Sequence, residues 1–120
     1  VYGDDGLDEI SICSETTISE LKGGQISEYK ISPKDFGLNI SSFDQISASS
    51  SQESLLHVNR AFEGEKSAVQ DMIALNSGAA LYVANIVNSM SDGVEMAFDL
   101  MNSGQAAQKL NSYVRVSNEL

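Results

Sequence analysis

The spacing of apolar positions changes character near residue 40. Before it, two runs alternate with a period of two, Thr16-Thr17-Ile18-Ser19-Glu20-Leu21 and Gln25-Ile26-Ser27-Glu28-Tyr29-Lys30-Ile31. Successive side chains on a strand point to opposite faces, so this spacing predicts two half-buried strands. Gly23-Gly24 lies between them, and a Gly-Gly pair accepts positive φ at both central positions of a tight turn, which predicts a hairpin. Ile18 and Leu21 are three apart, so the alternation slips and predicts a bulge before the turn. Pro33 ends the second strand, because it has no N–H to give to a ladder. The stretch 33–38 reads as one helical turn closed by Gly37, and Val1-Tyr2 reads as the end of a further strand.

After residue 40 the period becomes helical. Residues 47–54, S-A-S-S-S-Q-E-S, form a polar linker, and Ser51 is the expected N-cap of a helix over 51–63 that Gly64 stops. The strongest pattern covers 66–88, where Val69, Met72, Ile73, Ala80, Val83, Ala84 and Val87 recur at spacings of three, four and seven. Ala68, Leu75, Ala79, Tyr82 and Ile86 fill much of the remaining circumference. A helix apolar on most of its surface is buried on most sides, so this one is expected to be the most buried element, with Met72, Ile73 and Ala80 inside. Gly78 in its middle costs roughly 1 kcal/mol against Ala, which points to close packing there. Two more helices are predicted over 91–102 and 104–115, with Asp92 and Glu95 suiting the dipole of the first. The chain therefore reads as one α/β domain, with strands, an acidic loop and a hairpin in 1–40 and mostly helix in 41–120.

Charge narrows the function classes. Seven basic residues face 17 acidic ones, a formal net charge of −10. Such a surface repels nucleic acid and anionic membranes. No apolar run approaches the roughly 18 residues of a membrane span. Cys13 is the single cysteine, so no internal disulfide forms, which fits a reducing, cytoplasmic setting.

Most candidate chemistry fails on inspection. Ser14 has no G-x-S-x-G setting for a nucleophile. His57 lies on a predicted helix with no cysteine nearby and reads as a surface or partly packed residue. Cys13 reads as a small core residue on a strand. Gly23-Gly24 sits in a hairpin and not before a helix, so it is no phosphate loop. What remains is an acidic run, Asp4, Asp5, Asp8 and Glu9, around Gly6. Asp8 and Glu9 are adjacent carboxylates, able to meet at one small hard cation such as magnesium or calcium only from a turn or strand end. The residues alone leave two readings open, a metal site or a solvated acidic turn. If Asp4 and Asp5 are only solvated neighbours, replacing either by Asn is expected to change little.

Gly6-Leu7-Asp8-Glu9 resembles the G-L-D-E motif of the anthranilate phosphoribosyltransferase family. The family follows it with E-L-x-x-G-x-I-x-E-Y, which Glu20 to Tyr29 matches, and with P-x-D-F-G-L, which Pro33 to Leu38 matches. Its L-N-x-x-x-A-L-Y signature is matched by Leu75, Asn76, Ala80, Leu81 and Tyr82. Ser103-Gly104-Gln105-Ala106 resembles the S-G-x-A that opens its last helix. Tyr2 departs from the family, many members of which have His there.

The resemblance implies a nucleoside phosphorylase/phosphoribosyltransferase-like fold, of which this chain is the C-terminal part of the large α/β domain. It implies roughly the last third of the family's protein, starting where a strand delivers the acidic loop into the active-site cleft. The implied reaction transfers the phosphoribosyl group of phosphoribosyl pyrophosphate to anthranilate and releases pyrophosphate, a step of tryptophan biosynthesis. Asp8 and Glu9 are the implied magnesium ligands, and magnesium the implied cofactor. The family's G-T-G-G-D and K-H-G-N segments are absent from these 120 residues. The resemblance places them upstream, together with a helical domain through which the family forms homodimers. The chain alone is therefore expected to be inactive. The other class of function is a non-enzymatic binding or interaction module that reuses this piece of the fold.

Overall fold

Three antiparallel strands in the order β1-β2-β3 lie against a layer of helices in the computed structural model, which describes residues 1–119. The strands are β1 (Tyr2–Gly3), β2 (Thr16–Lys22) and β3 (Gln25–Ile31). Gly23 and Gly24 take φ of 59° and 79°, the positive pair that a two-residue hairpin turn requires. The predicted bulge is absent. Pairing runs unbroken from Thr16↔Ile31 to Lys22↔Gln25. Ile18 and Ile31 pack on the core, whereas Leu21 and Ile26 face each other on the other side of the sheet, 71% and 79% exposed. The slip in apolar spacing is thus a change of face within a regular strand.

A 3-10 turn at Pro33–Phe36 follows, where the Asp35 carboxylate accepts from the Ser32 N–H at 2.7 Å and Gly37 closes the turn at φ 73°. A second short turn spans Phe43–Gln45. The helices are α1 (Ser51–Phe62), α2 (Ala68–Val83), α3 (Met90–Asn102) and α4 (Gln105–Glu119).

Two helix ends differ from the sequence expectation. Ser50, not Ser51, caps α1, accepting from the Glu53 N–H at 3.1 Å. The Glu53 carboxylate turns back onto the N–H of Ser49 at 2.7 Å and its hydroxyl at 2.6 Å, a reciprocal arrangement that favours this start. α2 ends five residues short of 88. Asn85 takes φ 57°, its N–H donates to the Tyr82 carbonyl and the Ile86 N–H to the Leu81 carbonyl, each at 3.0 Å. This is a Schellman stop with asparagine in the left-handed position.

The core joins Ile10 and Ile12 of the loop before β2 to Ala74 and Leu75 of α2 and Val94, Ala97 and Met101 of α3. At the α2–α3 crossing Gly78 lies against Gly93. A Cβ on Gly93 would stand 2.9 Å from the Gly78 Cα, and one on Gly78 would stand 2.7 Å from the Val94 N. That contact is the packing pressure which glycine in mid-helix signalled. Burial of α2 is narrower than its composition predicts: Gln70, Ala74, Leu75 and Gly78 are buried, Met72 and Ile73 are half-buried, and Ala80 is exposed. Ile73, Ala80 and Leu81 instead line an open apolar groove of about 280 Å³ with Phe62, Leu100 and Ala106. Cys13 is half-buried against the core as expected, but in a bend and not on a strand. Among the described residues no helix is long and apolar enough to cross a membrane.

Candidate functional site

The acidic run occupies the loop between β1 and β2, and the loop is built by its own polar groups. The Gly3 N–H donates to the Leu7 carbonyl and the Gly6 N–H to the Gly3 carbonyl, both at 2.9 Å, with Gly6 at φ 93°. Asp5 sits at the centre. One of its oxygens accepts from the Leu7 N–H at 3.2 Å and the other from the Ser11 hydroxyl at 2.5 Å. Ser11 Oγ accepts in turn from the Cys13 N–H at 2.9 Å, and the Ser11 N–H donates to the hydroxyl of buried Thr16 at 3.0 Å. Partial burial would raise the Asp5 pKa, but the donated hydrogen bonds from Ser11, Leu7 and Ser14 outweigh it and hold the carboxyl below its usual range. Asp4 is also engaged, 2.6 Å from the Lys30 ammonium. Asp4 and Asp5 are therefore more than solvated neighbours of Asp8 and Glu9. A solvent-exposed pair such as Asp4–Lys30 contributes little energy, but Asp5 organises the loop.

Asp8 and Glu9 differ from that first pair. Both are exposed, and among the described residues neither side chain accepts a hydrogen bond or forms an ion pair. Glu9 lines a cleft of about 320 Å³ with Ile46, Val69, Met72, Ile73, Asn76 and Ser77. The chain is caught again immediately afterwards. Asn76 on α2 accepts from the Ile10 N–H through Oδ1 and donates to the Ile10 carbonyl through Nδ2, both at 2.9 Å. Ile10, Ser11 and Ile12 then enter the core.

The donor set suits a hard cation. Two carboxylates without protein partners supply oxygen ligands of the kind magnesium takes, and magnesium keeps several waters or substrate oxygens in its remaining positions. No group of three or more His, Cys, Asp or Glu side chains gathers among the described residues, so these residues build no closed cage for a metal. The Cys13 thiol is pushed up by burial and by the Asp5 charge, which makes it a poor nucleophile. His57 is half-buried on α1.

A second cleft, of about 460 Å³, lies between the hairpin and the C-terminal turn of α2. The Tyr82 hydroxyl donates to Glu20 Oε1 and accepts from Lys22 Nζ, both at 2.6 Å, and the ammonium stands 4.8 Å from the ring centroid. The Tyr82 hydrogen bond lowers the Glu20 pKa and raises that of Lys22. These contacts tie the hairpin to α2. The two clefts share no lining residue.

Asn76, Ser11 and Thr16 escaped the sequence reading as loop supports. For Ser11 and Asn76 a signal was present, since each is a polar side chain beside apolar ones, whereas Thr16 stands in the polar run Ser14-Glu15-Thr16-Thr17.

A sequence model described as "Glycosyl transferase family, a/b domain" matches residues 1–107. The chain belongs to this family. An anthranilate phosphoribosyltransferase of Vesicomyosocius okutanii is 44% identical over 117 residues, which are 98% of this chain and 34% of that protein. The chain thus spans about a third of the length of the curated relatives it matches. Among solved structures, the anthranilate phosphoribosyltransferase of Thermus thermophilus superposes with a TM-score of 0.83 at 28% identity, covering 92% of this chain and 33% of that one. The Saccharomyces cerevisiae enzyme appears in two structures, in complex with 4-fluoroanthranilate (TM-score 0.87, 19% identity, covering 99% and 35%) and as a variant with Mg bound (0.85, 18%, with the same coverage). At that identity the yeast structures show a shared fold. The α/β architecture of a phosphoribosyltransferase-like fold, a hairpin followed by helices, holds for this family member.

Proposed function

We propose that this chain is the C-terminal part of the large α/β domain, residues 1–120, of an enzyme that transfers the phosphoribosyl group of phosphoribosyl pyrophosphate to anthranilate, releasing pyrophosphate in cytoplasmic tryptophan biosynthesis. The observation that carries this reading is the 44% identity, over 98% of the chain, to a relative named for that activity. Glu9 lines a cleft and Asp8 precedes it in the chain, and among the described residues neither carboxylate is engaged. In this reading Asp8 and Glu9 hold magnesium. When bound, the ion offsets negative charge building on the departing pyrophosphate.

The residues of this chain do the positioning. Carboxylates cannot hold pyrophosphate directly, because like charges repel, so Asp8 and Glu9 act on the leaving group only through a cation. Asp5 keeps the loop folded so that the second pair points outward. The 120 residues alone contain no phosphate-cradling loop and carry a net charge of −10, so in isolation they bind a polyanion weakly and do not turn over. The complete enzyme works as a homodimer, joined through a helical domain that this chain does not contain.

The test uses the longer protein that carries this segment. Asp8→Asn and Glu9→Gln keep shape and remove charge. Each is expected to lower turnover on the order of 10²-fold, by analogy with the loss of one preorganised electrostatic contact. The magnesium concentration for half-maximal rate should rise, and the two losses should not add, since both serve one ion. Near-normal turnover and magnesium dependence in both variants would reduce the pair to a solvated acidic turn.

A further inference from the structure

Asp8 and Glu9 form a two-residue bridge. On one side Leu7 is tied to Gly3 and Asp5, and on the other Ile10 is tied to Asn76. Among the described residues the bridge makes no hydrogen bond of its own, so its course follows from these two anchors. The Ile10 anchor is made by a single side chain. Asn76 meets the N–H and the C=O of one residue at once, as a neighbouring strand would, and two-point pairing fixes rotation as well as distance. The second hydrogen on Nδ2 goes to the Met72 carbonyl at 3.1 Å. A flipped carboxamide would lose all three bonds, so its orientation is set. Of the side chains this short, only asparagine presents an acceptor and donors side by side. Aspartate lacks the donors, and leucine lacks both kinds of group. Asn76 and Glu9 also line the same cleft.

We propose that Asn76 is the positioning residue of the acidic pair: its carboxamide, acting through the Ile10 backbone, fixes where Glu9 presents its carboxylate and thereby sets the affinity for a divalent cation. This rests on the reading of Asp8 and Glu9 as ligands. A residue that orients a ligand without touching the metal changes metal affinity by about tenfold or more.

The experiment uses the longer protein and titrates it calorimetrically with the manganese–pyrophosphate complex, beside thermal melts. Asn76→Ala, Glu9→Gln, their double variant and Asp8→Asn are compared with the parent. Asn76→Leu, of similar volume, replaces Asn76→Ala if the latter does not fold. Glu9→Gln should weaken binding without lowering the melting point. Asn76→Ala should weaken binding about tenfold, lower the melting point, and speed hydrogen exchange at the Ile10 amide. In the double variant binding should be no weaker than in Glu9→Gln alone, while stability falls as in Asn76→Ala. If Asn76→Ala lowers the melting point but binds like the parent while Glu9→Gln binds weakly, the positioning role is wrong and the metal reading stands. If Asp8→Asn and Glu9→Gln both bind like the parent, both ideas fall.

Discussion

The α2–α3 crossing and the acidic loop both depend on small residues, for opposite reasons. At the crossing, Gly78 and Gly93 are there because any Cβ meets backbone, and backbone in two packed helices cannot yield locally. In the loop, Gly6 has open space where a Cβ would stand and is needed for its φ of 93°. A Cβ on Gly3 would meet the Asp5 carboxylate first, then the Ser11 Cβ at 3.3 Å and the Leu7 carbonyl oxygen at 3.4 Å, so it would disturb the hydrogen bonds that fold the loop. One region is held by shape and tolerates no added atom. The other is held by hydrogen bonds that involve Asp5, Ser11, Thr16 and Asn76, and among the described residues it leaves two carboxylates unengaged. The packing of the crossing and the two unengaged carboxylates of the loop therefore involve different residues, and substitutions should separate them.

Gly93→Ala tests the first half of that contrast. Alanine improves helix propensity by about 1 kcal/mol. Its methyl group lands against the Gly78 backbone, and overpacking of that kind costs up to about 3 kcal/mol. The net expectation is a loss of about 2 kcal/mol in denaturant unfolding. In the longer protein, the magnesium dependence of the folded fraction should not change. A neutral or stabilising result would mean the crossing has slack and the two helices can part to admit a methyl group.

Gln70→Leu probes the same region through its polar member. Gln70 is 2% exposed, and its amide donates to the Ala61 carbonyl and to Asn102 Oδ1, both at 3.1 Å, joining α1, α2 and α3. Leucine fills similar space but leaves the Ala61 carbonyl without that donor. An unsatisfied buried group costs roughly 1–3 kcal/mol, and Asn102 can turn toward water, so a loss of about 1–2 kcal/mol is expected. A more stable variant in the same unfolding assay would count against the bridge.

The hairpin was legible because its cause is local: Gly23-Gly24 sets the turn, and alternation sets the faces. The glycine at the helix crossing was legible as an anomaly, since an expensive residue in a strong helix calls for a reason. The start of α1 was misplaced by one residue although Ser50-Ser51-Gln52-Glu53 carries the S-x-x-E pattern of a capping box, obscured by the run of serines around it. The early end of α2 was missed because Asn85 stops a helix by taking a left-handed φ, which apolar periodicity does not register. The greater miss lay in the loop. Composition placed four carboxylates together, but which of them are engaged depends on Ser11, Lys30 and the fold of the loop itself. The burial of Met72, Ile73 and Ala80 was overestimated for a related reason, since periodicity reports which face is apolar and not whether anything covers it.

Asp5→Asn sharpens the distinction inside the loop, and its effect should be the smallest. Asparagine keeps one carbonyl oxygen for the Leu7 N–H, and the Ser11 hydroxyl can rotate to accept from the new amide, so most of the geometry survives. What is lost is the charge that the donated hydrogen bonds favour. The folded pKa of Asp5 lies below its ordinary value of 3.8, a depressed carboxyl. Its contribution to stability is therefore fully present above that ordinary value and disappears as pH falls through the folded pKa. The parent should lose melting temperature more steeply than Asp5→Asn as pH drops below about 4. The two curves should converge at the acid end, where the parent's carboxyl is protonated too. Asp8→Asn is the control, because among the described residues its carboxylate accepts no hydrogen bond whose loss could register. Thermal melts of the three proteins between neutral and strongly acidic pH decide the matter. Parallel curves for the parent and Asp5→Asn would mean that the Ser11 and Leu7 contacts hold the loop equally well without the charge, and the line drawn between the two halves of the acidic run would then rest on Asp8 and Glu9 alone.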